Sequence, residues 1–167
     1  MSWLRPLAAL AVTLALAGCQ VRPLYATPPD GVGAAQALPA IAVDPPLNRP
    51  EQVFRNRLLF GLRGGGEGAA NAYSLSYRLI LGEAALGVEP VTGTPASYQI
   101  IGNLSFILKD ARTGAALVQD RVTSMASFNR STQDFANIRA RRDAEDRVSE
   151  TLAELVEVRL AAFFAER

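Results

Sequence analysis

The sequence predicts an α+β fold: a two-layer sandwich with two helices packed on one face of a mixed four-stranded sheet, in the order β-α-β-β-β-α. Three observations predict it. A capped amphipathic helix follows a short first strand. Three long stretches then alternate apolar and polar residues, and an apolar stripe at helical spacing runs through the C-terminal end. A chain of 167 residues is long enough to bury one core without cross-links. It has to, because Cys19 is the single cysteine and no disulfide can form within the chain.

The N-terminus reads as a leader. Arg5 is the one charged group before Cys19, and Leu7 to Ala17 is apolar or small apart from Thr13. Such a run is too short for a hydrocarbon core, which needs roughly 20 residues, but it suits the apolar region of a signal peptide. The run closes as Leu16-Ala17-Gly18-Cys19, small residues before a cysteine, the pattern of a bacterial lipoprotein signal in which the cysteine becomes the lipidated first residue of the mature chain. An ordinary signal sequence with an incidental cysteine, or a buried helix, is the plainer alternative. Residues 1–18 are thus expected to be removed, leaving about 150 residues, one domain's worth. Residues 19–39 contain Pro23, Pro28, Pro29 and Pro39 with Gly31 and Gly33, and are expected to form the tether. Residues 40–167 are expected to form a single domain.

The elements follow in order. Ala40 to Asp44 is the first strand, stopped by Pro45 and Pro46. Asn48, Pro50 and Glu51 start a helix: a capping residue, a proline where its missing N–H costs nothing, and an acid at capping-box spacing. Phe54, Leu58 and Leu62 give that helix one apolar face, with Val53 and Leu59 beside it, and Gly64-Gly65-Gly66 ends it. The triplet follows a helix and has no lysine after it, so it reads as a connector and not a phosphate loop. Tyr73, Leu75, Tyr77, Leu79 and Leu81 then alternate with Ser74, Ser76, Arg78, Ile80 and Gly82. A loop from Gly87 to Pro95 leads to Tyr98, Ile100, Gly102, Leu104, Phe106 and Leu108 on the same pattern. Asp110-Ala111-Arg112-Thr113-Gly114 reads as a hairpin loop, and the return strand points Val118, Val122, Ala126 and Phe128 inward with Gln119, Arg121 and Thr123 outward. The outer face is therefore expected to be polar, as in an antiparallel sheet covered on one side. A helix from about Asp134 to Ala165 closes the chain. Its stripe is Val148, Leu152, Val156 and Leu160, with Leu155, Phe163 and Phe164 flanking. At about 45 Å it matches a strand of about 40 Å, and so can lie along the sheet.

The chemistry available is narrow. The chain has no histidine, and its one cysteine sits in the leader motif. That removes the commonest general base, most zinc sites and cysteine nucleophiles, and no catalytic residue, metal site or cofactor is expected. Asp143, Glu145 and Asp146 cluster beside arginines, where a solvated helix face is the ordinary reading. Loss of Arg5 with the leader brings the 17 basic residues level with the 16 acidic ones, so no nucleic-acid footprint exists. All basic residues but Lys109 are arginine, a bias that codon usage explains as well as anion recognition does. Charge is segregated along the last helix: Arg139, Arg141 and Arg142 come early, and acids dominate from Asp143 onward. This order opposes the helix dipole. The three arginines form either a solvated face or a contact for an anionic partner.

Several motifs, in order, carry a family resemblance. Arg22-Pro23-Leu24-Tyr25 follows Cys19, and Arg55-Asn56-Arg57-Leu58 lies in the first helix. Ala96-Ser97-Tyr98-Gln99 opens a strand, and the Asp110 to Gly114 hairpin and Ala126-Ser127-Phe128-Asn129 come next. Phe135-Ala136 and Arg142-Asp143-Ala144 lead into a helix ending Leu160-Ala161-Ala162-Phe163-Phe164. With this order and spacing, nearly the whole mature chain resembles the LPS-assembly lipoproteins of the LptE family. The resemblance implies a non-enzymatic outer-membrane lipoprotein on the periplasmic side, a plug and assembly factor of an LptD-type β-barrel translocon that contacts LPS. Under it, Lys109, Arg112, Arg139, Arg141 and Arg142 are the candidate LPS-binding residues. The stretch from Gly82 to Pro95 carries no basic residue and is not a candidate.

Two other readings compete: an auxiliary lipoprotein of an ABC-type lipid transport system, which can share the tethered plan, and a periplasmic carrier, which would enclose a lipid in an apolar cavity between helices and sheet. The lipobox reading of Cys19 can be tested independently of these readings. Cys19→Ser is expected to abolish metabolic labelling with palmitate, and labelling of the variant at wild-type level would refute the lipobox.

Overall fold

A computed structural model describes residues 33–66, 68–88 and 95–166. The leader, Cys19, the motif at residues 22–25 and the middle of the Gly87 to Pro95 loop lie outside the described residues. The arrangement is α+β, with helices packed on a mixed four-stranded sheet. The elements are α1 (Ala34–Ala37), a 3-10 turn (Leu38–Ala40), β1 (Ile41–Val43), α2 (Arg49–Arg63), β2 (Tyr73–Val88), β3 (Pro95–Asp110), β4 (Ala116–Asn129) and α3 (Asp134–Ala165).

The sheet order is β1-β2-β3-β4. β1 runs parallel to β2 with Ile41 opposite Tyr73, so β1-α2-β2 is one crossover unit. β2, β3 and β4 form an antiparallel meander in which Leu75 lies opposite Leu108, which lies opposite Val118. β1 stops early: the Asp44 N–H donates to the Leu75 carbonyl at 3.1 Å, and Pro45 and Pro46 have no N–H to continue the ladder. β2 runs on past it.

The starting signals of α2 act much as the sequence implies. Asn48 Oδ1 accepts from the Glu51 N–H at 3.0 Å, and Pro50 lies in the first turn. Glu51 reaches back to the Leu47 N–H at 2.7 Å, one residue outside the expected capping-box contact. Gly64, with φ 58°, caps the C-terminal end.

The alternating residues of all three long strands face the helices and pack against them, fully buried at the centre and partly buried toward the ends. Phe54 and Leu58 of α2, Leu75 and Leu104 of the sheet, and Val148, Leu152 and Val156 of α3 are all fully buried. At Gly102 side chains of α3 rest directly on the β3 backbone. A Cβ there would collide with Val148 Cγ1 and lie 2.9 Å from Leu152 Cδ1.

Four details depart from the sequence reading. The expected tether ends sooner, because Ala34, Ala37 and Leu38 are buried in the core. Their i, i+3, i+4 spacing places them on one face of a single helical turn, and small side chains let it seat where composition alone suggests a spacer. Leu155 is 38% exposed instead of flanking the stripe. The buried arc is turned toward Ser149 and Ala153, because α2 covers that side of α3. The outer sheet face is mixed: Thr123 bonds Asn103 across strands at 3.0 Å, yet Ile80 and Met125 are more than half exposed on it. Finally, β2 and β3 extend into the expected loop, to Val88 and from Pro95.

Gly102→Ala is expected to lower stability by about 1–3 kcal/mol, since the added methyl forces α3 off β3. A shift in the urea midpoint at unchanged slope measures it. Gly82→Ala is the control, since its nearest neighbour would be the Ile101 carbonyl at 4.0 Å.

Candidate functional site

The candidate residues fall at opposite ends of the sheet. Lys109 and Arg112 sit at the β3–β4 hairpin, beside Tyr73 where β2 begins. Arg139, Arg141 and Arg142 lie on the first turns of α3, next to the far ends of the strands. Twelve strand positions separate Ser97 from Lys109, about 40 Å. The fold therefore brings Arg139, Arg141 and Arg142 together, and Lys109 with Arg112, but not the two groups with each other.

The hairpin is built on Asp110. Its Oδ1 accepts from the Arg112 N–H at 3.0 Å, the Thr113 N–H at 2.8 Å and the Thr113 hydroxyl at 3.0 Å. Gly114 completes the turn at φ 72°, a conformation that side-chain-bearing residues rarely adopt. The hydrogen bonds from Thr113 hold the Asp110 carboxyl below its ordinary value, with Arg112 adding to the effect. The carboxylate thus orders the loop that carries Arg112, and neither Lys109 nor Arg112 is in an ion pair among the described residues.

At the far end the three arginines differ. Arg141 is held by Glu83 at 3.0 Å and by Glu145 at 3.2 Å, so its charge is already answered. Arg139 lies over the Phe135 ring, 6.0 Å from its centroid. Arg139 and Arg142 line a polar cleft of about 330 Å³ with Arg49, Asp143 and Asp146. Arg49 grips Asp146 through two bonds of 2.6 and 2.7 Å. Nothing in the sequence marks Arg49 for this place, because α2 and α3 meet only in the folded chain.

A second groove of about 360 Å³ lies between the start of α3 and the strand ends. Tyr98 and Phe128 stack in it with centroids 5.6 Å apart, and Arg130 donates to the Tyr98 hydroxyl at 3.2 Å. Ile138, Asn137 and Asp134 complete the wall with Glu83 and Arg141. Phe135 and Ile138 are both more than half exposed beside it. With Arg141 already paired, Arg130 is the guanidinium in this groove that could meet the anionic head of an amphiphile seated on the apolar surface. Cross-strand register joins Tyr98 to Phe128, so alternation alone does not reveal the pair. Among the described residues no group of His, Cys, Asp and Glu is placed to hold a metal ion, and no helix is long and apolar enough to cross a membrane.

A short β-α-β unit extended by a meander and covered by α2 and α3, with charged open grooves at one end, defines a small α+β domain. Comparison makes this specific. The family model LptE, described as lipopolysaccharide-assembly, matches residues 38–160, and the chain belongs to that family. Among solved structures, a chain described as a lipoprotein from Caulobacter crescentus CB15 shares the fold with TM-score 0.64 at 22% identity, covering 80% of this chain and 97% of its own. A minor lipoprotein from Acinetobacter baumannii gives TM-score 0.59 at 14% identity, covering 73% of this chain and 90% of its own. The rare lipoprotein B from Shewanella oneidensis gives 0.55 at 15%, covering 73% and 92%. No curated protein matches.

Asp110→Ala is expected to loosen the hairpin and lower the melting temperature in a pH-dependent way. The folded-state pKa lies below the ordinary 3.8, so the carboxylate's contribution is fully present above 3.8 and is lost as pH falls through the lower folded value. The wild type and the variant should differ at pH 7 and converge in strong acid, as thermal melts across pH would record.

Proposed function

We propose that this protein is an outer-membrane lipoprotein, anchored through lipid on Cys19, that acts as plug and assembly factor of an LptD-type β-barrel translocon and takes part in LPS transport to the cell surface. Membership of the LptE family across residues 38–160 is the observation that carries this reading. It is a non-enzymatic role. The physical properties of the domain support it. Most of the outward side chains on the sheet are Ser, Thr, Asn, Gln or Arg, which suits the polar lumen of a barrel. Buried and partly buried apolar side chains pack into one cluster between helices and sheet, which favours a solid plug over a carrier enclosing a lipid.

The anchor has a geometry in this reading. β1 is entered beside Tyr73, where the Ala72 N–H donates to the Ala40 carbonyl, so the N-terminal side and the hairpin share one end of the sheet. Cys19 precedes Gly33 by about 14 residues, at most about 50 Å of chain. Lys109 and Arg112 then lie at the anchored end, and Arg139 and Arg142 lie toward the outer end of the lumen. Arg139 and Arg142 are the stronger candidates for contact with LPS phosphates, since Arg141 is neutralised in place.

Affinity purification of the tagged protein from detergent-solubilised outer membrane is expected to recover a large β-barrel in equal amount. Recovery of the lipoprotein alone, or with an inner-membrane ATPase and permease, would overturn the barrel assignment.

A further inference from the structure

β2 is 16 residues long, but β1 pairs with only Tyr73, Ser74 and Leu75. Because the Leu75 carbonyl faces β1, strand alternation turns the N–H and C=O of Tyr77, Leu79, Leu81, Glu83 and Ala85 to the same open side. No backbone hydrogen bond from outside the sheet reaches them among the described residues. The open stretch is about 30 Å long, enough for a strand of eight or nine residues.

The other edge of the sheet is treated differently. α3 reaches across β4, with Arg147 donating to the Ser127 carbonyl at 3.0 Å and Arg159 meeting Asp120 at 3.4 Å. A long open edge is a template for pairing, and folds usually shield it with charge, proline or a covering element. On β2 the charges do not shield. Glu83 is drawn to Arg141, and Arg78 projects from the outer face with no ion pair among the described residues.

A groove of about 600 Å³ lies beside this edge, where β1 would have continued. Asp44, Pro45, Leu47, Tyr77, Leu79 and Ile80 line it, and Leu47 is 90% exposed. The Tyr77 hydroxyl is buried there without a hydrogen-bond partner. Burial pushes it up to about 12, with Glu51 adding to the shift, so it remains a neutral donor.

We propose that an extended segment of the barrel partner adds to the open side of β2 as a fifth strand. It places apolar side chains in the groove between Leu47 and Tyr77 and a carboxylate opposite Arg78. The inference rests on the barrel reading above and adds to it the mode of contact. A closed barrel has no free edge of its own, so the segment is a loop or terminal arm and not a wall strand.

Amide hydrogen exchange on the affinity-purified wild-type complex, compared with the free protein, tests the pairing. The amides of Tyr77, Leu79, Leu81, Glu83 and Ala85 should exchange at least ~10-fold more slowly in the complex, while those of Thr123 and Met125 on β4 keep their free rates. Unchanged rates at residues 77–85 in a recovered complex, or equal slowing on both edges, would overturn the pairing and leave the barrel assignment standing. Failure to recover any barrel would overturn both. Ala85→Pro removes an outward N–H without breaking a β2–β3 bond. It should keep the wild-type melting temperature and lower barrel recovery about tenfold. A folded variant with full recovery sinks the proposal, and if the variant does not fold, the wild-type exchange data decide.

Discussion

Where α3 crosses the sheet, Val148 and Leu152 rest on the bare backbone of Gly102, and no side chain separates helix from strand. The rest of the domain depends on that approach. It lets a 32-residue helix lie flat along strands of similar length, so one element covers the inner face of β3 and β4. It also brings the inward residues on either side of the glycine, Ile100 and Leu104, into full burial. A side chain at this position would tilt the helix and open the layer at both ends.

Beside α3, α2 occupies the remaining inner face, and the two helices run in the same direction. Arg49 meets Asp146 and Arg57 meets Glu154, so the contacts keep one register along both helices. Gly61 extends it: a Cβ there would collide with the Glu157 carboxylate. The ion pairs are largely solvated and each contributes no more than about 1 kcal/mol. Their consequence is positional. They hold the start of α2 against α3 at Asp146, one turn beyond Arg142, which is how Arg49 joins Arg139 and Arg142 in one cleft. Burial supplies the stability, and the arginine pairs set which surface charges stay available to a partner.

The two long edges of the sheet have different histories in the chain. β4 is followed directly by the helix that folds back over it, so its outer side is shielded by arginines of α3. β2 is flanked by a strand that two prolines end after three residues. The backbone groups of β2 beyond Leu75 on that side are therefore left without a partner strand among the described residues. The hairpin at the opposite end, ordered by Asp110, carries its cations on a rigid turn instead of a loose loop.

Much of this architecture was legible beforehand. Alternation along β2, β3 and β4 assigned inner and outer faces, because a period of two leaves a strand little choice once one face is buried. Asn48, Pro50 and Glu51 marked the start of α2, and Asp110 to Gly114 marked the turn, because capping and turn geometry are local chemistry. The ordered motifs were enough for the family. Residues 34–38 were misread as spacer because alanine carries no pattern until a groove exists to receive it. Leu155 was misplaced because the arc of a helix that gets buried depends on which neighbour lies beside it, and α2 is 90 residues or more away in sequence. The candidate basic residues follow from the family resemblance, but their division between two ends, the neutralisation of Arg141 and the recruitment of Arg49 are tertiary. The sequence by itself determined the elements, their faces and the family, since these follow from local periodicity and short-range hydrogen bonding. Only the tertiary structure decided which charges meet and which strand edge stays open, since both depend on contacts between segments far apart in the chain.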